Sequence, residues 1–153
     1  MATQTTAQTT AQMETQRATQ LGKQSARPSV LVLDDDQFSQ AVLRKHLNLL
    51  GFTQVQSVSD GLEGVAALDQ MTQPPDIIIC DIFMPQMDGI EFVAELVKRN
   101  FQGQLVLMTG RNTDMLLVAQ DIACMNGLHV SGVLTKPGTA KSLGLAMACL
   151  QVA

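Results

Sequence analysis

The run Ile77-Ile78-Ile79-Cys80-Asp81, continued by Ile82-Phe83-Met84-Pro85-Gln86-Met87-Asp88-Gly89, limits what this chain can fold into more than any other stretch. Four apolar residues bounded by turn signals read as a strand buried on both faces. A carboxylate at the very end of such a strand does not serve packing. In open α/β sheets the crevice outside the carboxyl ends of the strands is where ligands bind. Asp81 is therefore read as a chemical centre, with the other strand ends arranged around it.

The rest of the chain supplies those strand ends. Ser29 to Leu33 is β-branched and Leu-rich and runs into Asp34-Asp35-Asp36. A helical pattern follows, with Phe38, Val42, Leu47 and Leu50 expected on one face and Gly51 as its C-cap. Residues 53–58 alternate like a strand, Asp60-Gly61 is a turn, and a helix bearing Leu62, Val65, Ala66 and Leu68 runs to Pro74-Pro75. After the strand that ends at Asp81 come a helix over about 89–99, a strand over 104–109 and a helix over 113–126 closed by Gly127. A strand over 130–135 and a helix over 139–152 complete the chain. Five alternations of strand and helix argue for a parallel sheet with helices on both faces.

Composition narrows the function classes. The 153 residues are 46% apolar, enough for a core, but only 3% aromatic, with no Trp or Tyr. Stacking surfaces for nucleic acid need aromatics. The net charge is −4, with residues 1–28 at +2 and the remainder at −6, so the domain has no basic stripe for DNA or a membrane surface. Residues 1–28 are rich in Thr, Gln and Ala, and Gln recurs at every fourth position from Gln4 to Gln24. With no apolar stripe to bury, this leader is expected to be a disordered tail, leaving 29–153 as the domain. Cys80, Cys124 and Cys149 have no metal or disulfide spacing and read as reduced, buried small hydrophobes. No segment has the length and apolarity of a membrane span or a secretory signal, and a soluble, cytoplasmic protein is expected.

The strand ends carry Asp34 and Asp35, Asp81, Thr109 and Lys136, all expected at one edge of the sheet. Packed carboxylates repel one another, and a divalent cation removes the problem. Mg²⁺ takes oxygen ligands and keeps several waters. Asp35 and Asp81 would bind it directly with the backbone carbonyl of Phe83, and Asp34 through water. If a phosphoryl group is transferred to Asp81, Lys136 suits one of its oxygens and the Thr109 hydroxyl another.

These residues resemble the receiver domain of bacterial two-component response regulators. The matching motifs are Val32-Leu33-Asp34-Asp35-Asp36, Asp81 through Gly89, Met108-Thr109-Gly110 and Leu134-Thr135-Lys136-Pro137, and the resemblance spans 29–152. It implies a doubly wound five-stranded sheet of order 2-1-3-4-5 with five helices. It implies phosphorylation of Asp81 by a histidine kinase or phosphotransfer protein, with at most self-phosphorylation and autodephosphorylation as activity, and a cis Lys136–Pro137 bond. The segment from Asp114 to Pro137 looks nearest to receivers fused to EAL-type output domains. Val133 stands where the family carries Tyr or Phe, so the usual aromatic switch lacks half its parts. Phe83 and Arg111 fall where the family tunes acyl-phosphate hydrolysis, and a long-lived phosphoryl state is expected.

The last third is short of charge, with only Asp121, Lys136 and Lys141 charged beyond Met115. Met115, Val118, Ile122 and Met125 share one helical face, and Leu116, Ala119 and Ala123 a second stripe beside it. A homodimer or effector interface is expected on the fourth helix, fifth strand and fifth helix, with ordinary packing accounting for part of the stripe. His46 and His129 read as structural or exposed, Asp36 as a helix cap, and Asp88 as a turn and helix entry. The rival classes are a docking-only pseudo-receiver, a haloacid-dehalogenase-type phosphatase using Asp34, and a flavin carrier. The phosphatase lacks a later acidic pair for its metal, and a flavin carrier would not place three aspartates beside a phosphate.

Overall fold

The computed structural model describes residues 28–110, 113–136 and 139–147. The leader before Pro28, Arg111, the Lys136–Pro137 bond, Gly138, Cys149 and the expected end of the last helix lie outside the described residues. Strands β1 (Ser29–Leu33), β2 (Gln54–Val58), β3 (Ile77–Asp81), β4 (Gln104–Thr109) and β5 (His129–Thr135) alternate with five helices. The helices are α1 (Gln37–Leu49), α2 (Gly61–Gln70), α3 (Gly89–Lys98), α4 (Thr113–Met125) and α5 (Ala140–Ala146). All pairings are parallel and the strand order is β2-β1-β3-β4-β5. This is the order expected above.

Side chains alternate between the two sheet faces because a strand has a period of two. Leu31, Leu33, Ile78, Cys80, Leu105 and Leu107 face one core with Phe92 and Leu96 of α3 and Leu116, Ala119 and Ala123 of α4. Val30, Val32, Ile77, Ile79, Val106 and Met108 face the other with Leu43 and Leu47 of α1 and Leu143 of α5. Central strand β3 is buried at every position. Each buried Leu or Ile contributes about 1.5–3 kcal/mol, which explains why the Ile77–Ile79 run is continuous rather than alternating with polar residues.

Two expectations about helix faces need correction. Phe38 is 76% exposed, and the buried stripe of α1 is Leu43 and Leu47. At 100° per residue Phe38 lies well round the helix from both. Cys124 is likewise exposed, because Ala123 already occupies the inward position and the next residue turns away. Cys80 is buried as expected.

The helix ends follow local chemistry. Asp36 caps α1 by accepting the Phe38 N–H at 3.0 Å, Asp60 caps α2 through Glu63 N–H, and Asp88 caps α3 through Glu91 N–H. Caps of this kind contribute about 1 kcal/mol each. Gly51 ends α1 at φ 96°, with Phe52 N–H reaching back to the Leu47 carbonyl at 2.9 Å.

The β3–α3 loop is pinned at both ends. Ile82 N–H donates to the Met108 carbonyl at 3.0 Å, Gly89 N–H to the Ile82 carbonyl at 2.8 Å, and Gly61 N–H to the Met87 carbonyl at 3.0 Å. A Cβ on Gly89 would lie 2.5 Å from the Asp81 carbonyl oxygen and 2.7 Å from Ile82 Cα. Both obstacles are backbone and cannot swing aside, so only glycine lets α3 start this close to the end of β3. Gly89→Ala is expected to destabilise the fold by about 1–3 kcal/mol, measured by urea unfolding followed by far-UV circular dichroism; an unchanged midpoint would contradict this packing.

Candidate functional site

The topology brings Asp34 after β1, Asp81 at the end of β3, Thr109 at the end of β4 and Lys136 after β5 to one edge of the sheet. Asp34 and Thr109 are fully buried and Asp81 is 4% exposed. Asp35, on the β1–α1 loop, is exposed to solvent. One carboxylate oxygen from each of Asp34, Asp35 and Asp81 lies within 4.8 Å of the others.

Lys136 reaches into this cluster. Its Nζ lies 2.6 Å from Asp34 Oδ2 and donates to Asp81 Oδ2 at 2.7 Å. The contact with Asp34 is an ion pair whose angle falls outside hydrogen-bond geometry, so Asp34 Oδ2 is buried without an aligned donor. Asp34 Oδ1 accepts the Asp36 N–H at 3.0 Å, and Asp81 Oδ1 accepts the Phe83 N–H at 3.3 Å. The backbone ties Lys136 down as well, through its N–H to the Thr109 carbonyl at 2.8 Å.

Electrostatics follow from this crowding. Burial raises the Asp81 pKa above the ordinary carboxylate value. The hydrogen bond and charge of Lys136 pull it back without cancelling the rise, the charge of Asp34 adds to it, and the Phe83 N–H opposes it. Burial alone would lower the Lys136 pKa, but the close contacts and charges of Asp34 and Asp81 outweigh it and the net shift is upward. Lys136 is thus held as a cation. Burial also pushes the Cys80 thiol up, reinforced by the charges of Asp81, Asp88 and Asp34, so no thiolate forms beside the site.

Asp34, Asp35, Asp81, Thr109 and Lys136 therefore converge as the strand ends suggested, and Phe83 follows with its N–H on Asp81. His46 in the last turn of α1 and His129 at the start of β5 lie toward the opposite, amino edge of the sheet. Arg111 lies outside the described residues. One contributor escaped the sequence reading. Gln40 of α1 donates through Nε2 to the Asp34 carbonyl at 2.6 Å and to the Val58 carbonyl at 3.1 Å. Its signal was present: Gln40, Leu43 and Leu47 share the spacing of one helical stripe, so a polar residue continues a buried row.

Such a fold and edge define a doubly wound α/β domain with an acidic, lysine-bridged site at the carboxyl ends of its strands. The sequence profile of the response regulator receiver domain matches residues 30–148. The chain belongs to the response regulator receiver domain family. It is 32% identical over 121 residues to a probable chemotaxis protein CheY of Rhizobium etli, covering 77% of this chain and 88% of that protein. It is 41% identical over 86 residues to the sensor histidine kinase CheAY of Helicobacter pylori, covering 55% of this chain and 11% of that one. A probable C4-dicarboxylate response regulator DctR of Halalkalibacterium halodurans is 30% identical over 119 residues, and the match covers 77% of this chain and 49% of the relative. The chain thus spans less than half of these last two proteins. Among solved structures, a receiver domain from Clostridium thermocellum superposes with a TM-score of 0.69 at 23% identity, covering 80% of this chain and 93% of that one. Vibrio cholerae CheY4 does so at 0.67 and 24%, covering 82% and 99%. At these identities the structures speak for the fold alone. Membership in this family does not favour the phosphatase, flavin-carrier or docking-only alternatives.

The raised Asp81 pKa has a consequence for stability. Folded Asp81 binds its proton more tightly than the unfolded chain does, so folding takes up protons. Stability then falls as pH rises from the ordinary carboxylate pKa of about 3.9 through the raised folded value. Asp81→Asn removes this penalty and leaves Lys136 paired with Asp34. That variant is expected to be at least as stable as the parent at pH 7 without divalent metal, with a flatter pH dependence of the denaturation midpoint across that window. A clear loss of stability at pH 7 would contradict the reading.

Proposed function

We propose that Asp81 accepts a phosphoryl group from a histidine kinase or phosphotransfer protein, in a reaction that depends on Mg²⁺. The observation that carries this is the convergence of Asp34, Asp35 and Asp81, with the Lys136 ammonium set between Asp34 and Asp81. Three carboxylates against one ammonium leave the cluster short of positive charge, and every converging donor is a hard oxygen. That donor set fits Mg²⁺. Asp35, Asp81 and the Phe83 carbonyl would hold the ion, with Asp34 acting through water. The bound ion supplies charge neutralisation for an incoming phosphate.

The chain's own residues do the remainder. An Asp81 oxygen attacks phosphorus, and the bond to the donor's leaving nitrogen or oxygen breaks. The Asp81 carboxylate is buried at the end of β3, and its contacts with Lys136 and the Phe83 N–H limit how far it can turn. Lys136 pairs with Asp81 now and would pair with a phosphoryl oxygen afterwards. The buried Thr109 hydroxyl would bond a second oxygen and register the modification. Phe83, half-buried beside Asp81, would shield the acyl phosphate from water. The chain acts as a phosphoacceptor rather than as an enzyme turning over a separate substrate.

The output surface is proposed on α4, β5 and α5. Leu116, Ala119 and Ala123 are spent on the core, and Met115 and Ile122 pack against it from its margin. Leu117, Val118 and Met125 of α4, Val133 of β5 and Leu145 of α5 remain exposed. Apolar exposure concentrated on these elements supports a partner site there, for a second copy of the chain or an effector. Among the described residues no helix is long and apolar enough to cross a membrane.

Incubation with acetyl phosphate and Mg²⁺ is expected to add one phosphoryl mass to the intact chain, and excess chelator to prevent it. Mass gain without divalent metal would contradict the mechanism. Phe83→Asn should shorten the half-life of the phosphorylated form; an unchanged or longer half-life would remove Phe83 from its shielding role. Light scattering should show a larger particle with beryllofluoride and Mg²⁺ than without. A monomer under both conditions would argue against self-association through this surface.

A further inference from the structure

Gln40 is half-buried on the inner side of α1 and carries no charge, yet it contacts the backbone of the site directly. Its Nε2 donates to the Asp34 carbonyl at 2.6 Å and to the Val58 carbonyl at 3.1 Å. The Val58 carbonyl also accepts the Asp34 N–H at 3.1 Å. One side chain thus links the first turn of α1 to the ends of β1 and β2. Both acceptors are carbonyl oxygens, so only the NH₂ end of the amide fits there, and both of its hydrogens are used.

The division of labour is plain at Asp34. Its carboxylate is held by Asp36 N–H and Lys136. Its main chain is held by Gln40 and Val58. The loop needs this second restraint because Asp34, Asp35 and Asp36 are consecutive like charges that push one another apart. A cationic side chain in the place of Gln40 would compete with a metal for the carboxylates. An anionic one would add to the repulsion and meet two carbonyl oxygens with no proton to give. A neutral amide supplies two donors and leaves the charge of the cluster unchanged.

We propose that Gln40 is a positioning residue for the divalent-cation site. It holds the Asp34 main chain so that the Asp34 and Asp35 carboxylates stay converged on Asp81 before the cation arrives. The inference rests on the cation-site reading given above. Precise support of ligating groups by their neighbours is what separates a tight site from a loose one. Loss of such outer partners commonly weakens metal binding about 10–100-fold.

The test is calorimetric titration of Mg²⁺ into the full chain. Gln40→Met keeps the length of the side chain and removes its donors; its Kd for Mg²⁺ is expected to rise about tenfold, the low end of that range because Gln40 acts through the backbone. Leu47→Val trims the same helix away from the site. It should lower the thermal midpoint and leave the Mg²⁺ affinity unchanged. Parent-like affinity in Gln40→Met, or an equal loss in Leu47→Val, would overturn the proposal. A parent chain that takes up no Mg²⁺ would remove the cation site itself and this role with it. Should Gln40→Met not fold, nuclear magnetic resonance of the parent decides. The Gln40 side-chain amide protons are expected to exchange more slowly than those of exposed Gln56 and to shift as Mg²⁺ is added. Fast exchange without a shift would overturn the assignment.

Discussion

The ammonium of Lys136, set between Asp34 and Asp81, is the interaction on which the carboxyl edge of this sheet depends. Without a cation there, two buried carboxylates would face each other in a poorly solvated crevice, where charge repulsion is only weakly screened. With Lys136 in place the two are bridged, and Asp35 is left as the solvent-facing member of the cluster. The pair is less a source of stability than a holding arrangement. It keeps the Asp81 carboxylate in position and, among the described residues, leaves three carboxylates against one ammonium.

That arrangement is built by backbone geometry more than by side-chain choice. Strand β3 is central and wholly buried, so its last residue cannot wander. The following loop is fastened to β4 through Ile82, to itself through Gly89, and to α2 through Gly61 and Met87. Gln86, at φ 65°, sits within that loop in a left-handed conformation, and the Met87 N–H to Pro85 carbonyl bond of 2.7 Å closes around it. Such local strain persists where neighbouring contacts over-determine the chain, often beside a functional site. The same loop starts α3 directly beneath Asp81, which couples that carboxylate to a helix packed in the core.

The strands and the site were legible in the sequence because they rest on short-range signals. Apolar runs ending in Asp34, Asp81, Thr109 and Lys136 state both the strands and the edge they share, and Asp36 and Asp88 state where two helices begin; Asp60, legible only as a turn, also caps a helix. Helix faces are less legible. A large aromatic weighs heavily in an apolar pattern, which groups Phe38 with Val42 and Leu47, although the angular spacing favours Leu43 and Leu47. The apolar surroundings of Cys124 suggest burial, whereas its exposure depends on which neighbour takes the inward position. A glutamine in a helix is ordinarily a solvated residue, and only the tertiary position of the Asp34 and Val58 carbonyls gives the Gln40 amide a task. Val133, exposed on β5, shows the converse. Its departure from the family's aromatic is plain in the sequence, whereas its exposed setting is given only by the fold.

The account turns on which carboxylate carries the phosphoryl group. Reductive trapping of the phosphorylated chain with borohydride converts an aspartyl phosphate to homoserine, and peptide sequencing by mass spectrometry then locates it. Homoserine at position 81 alone is the predicted result. Homoserine at position 34, or none anywhere in a chain that has gained phosphoryl mass, would contradict it.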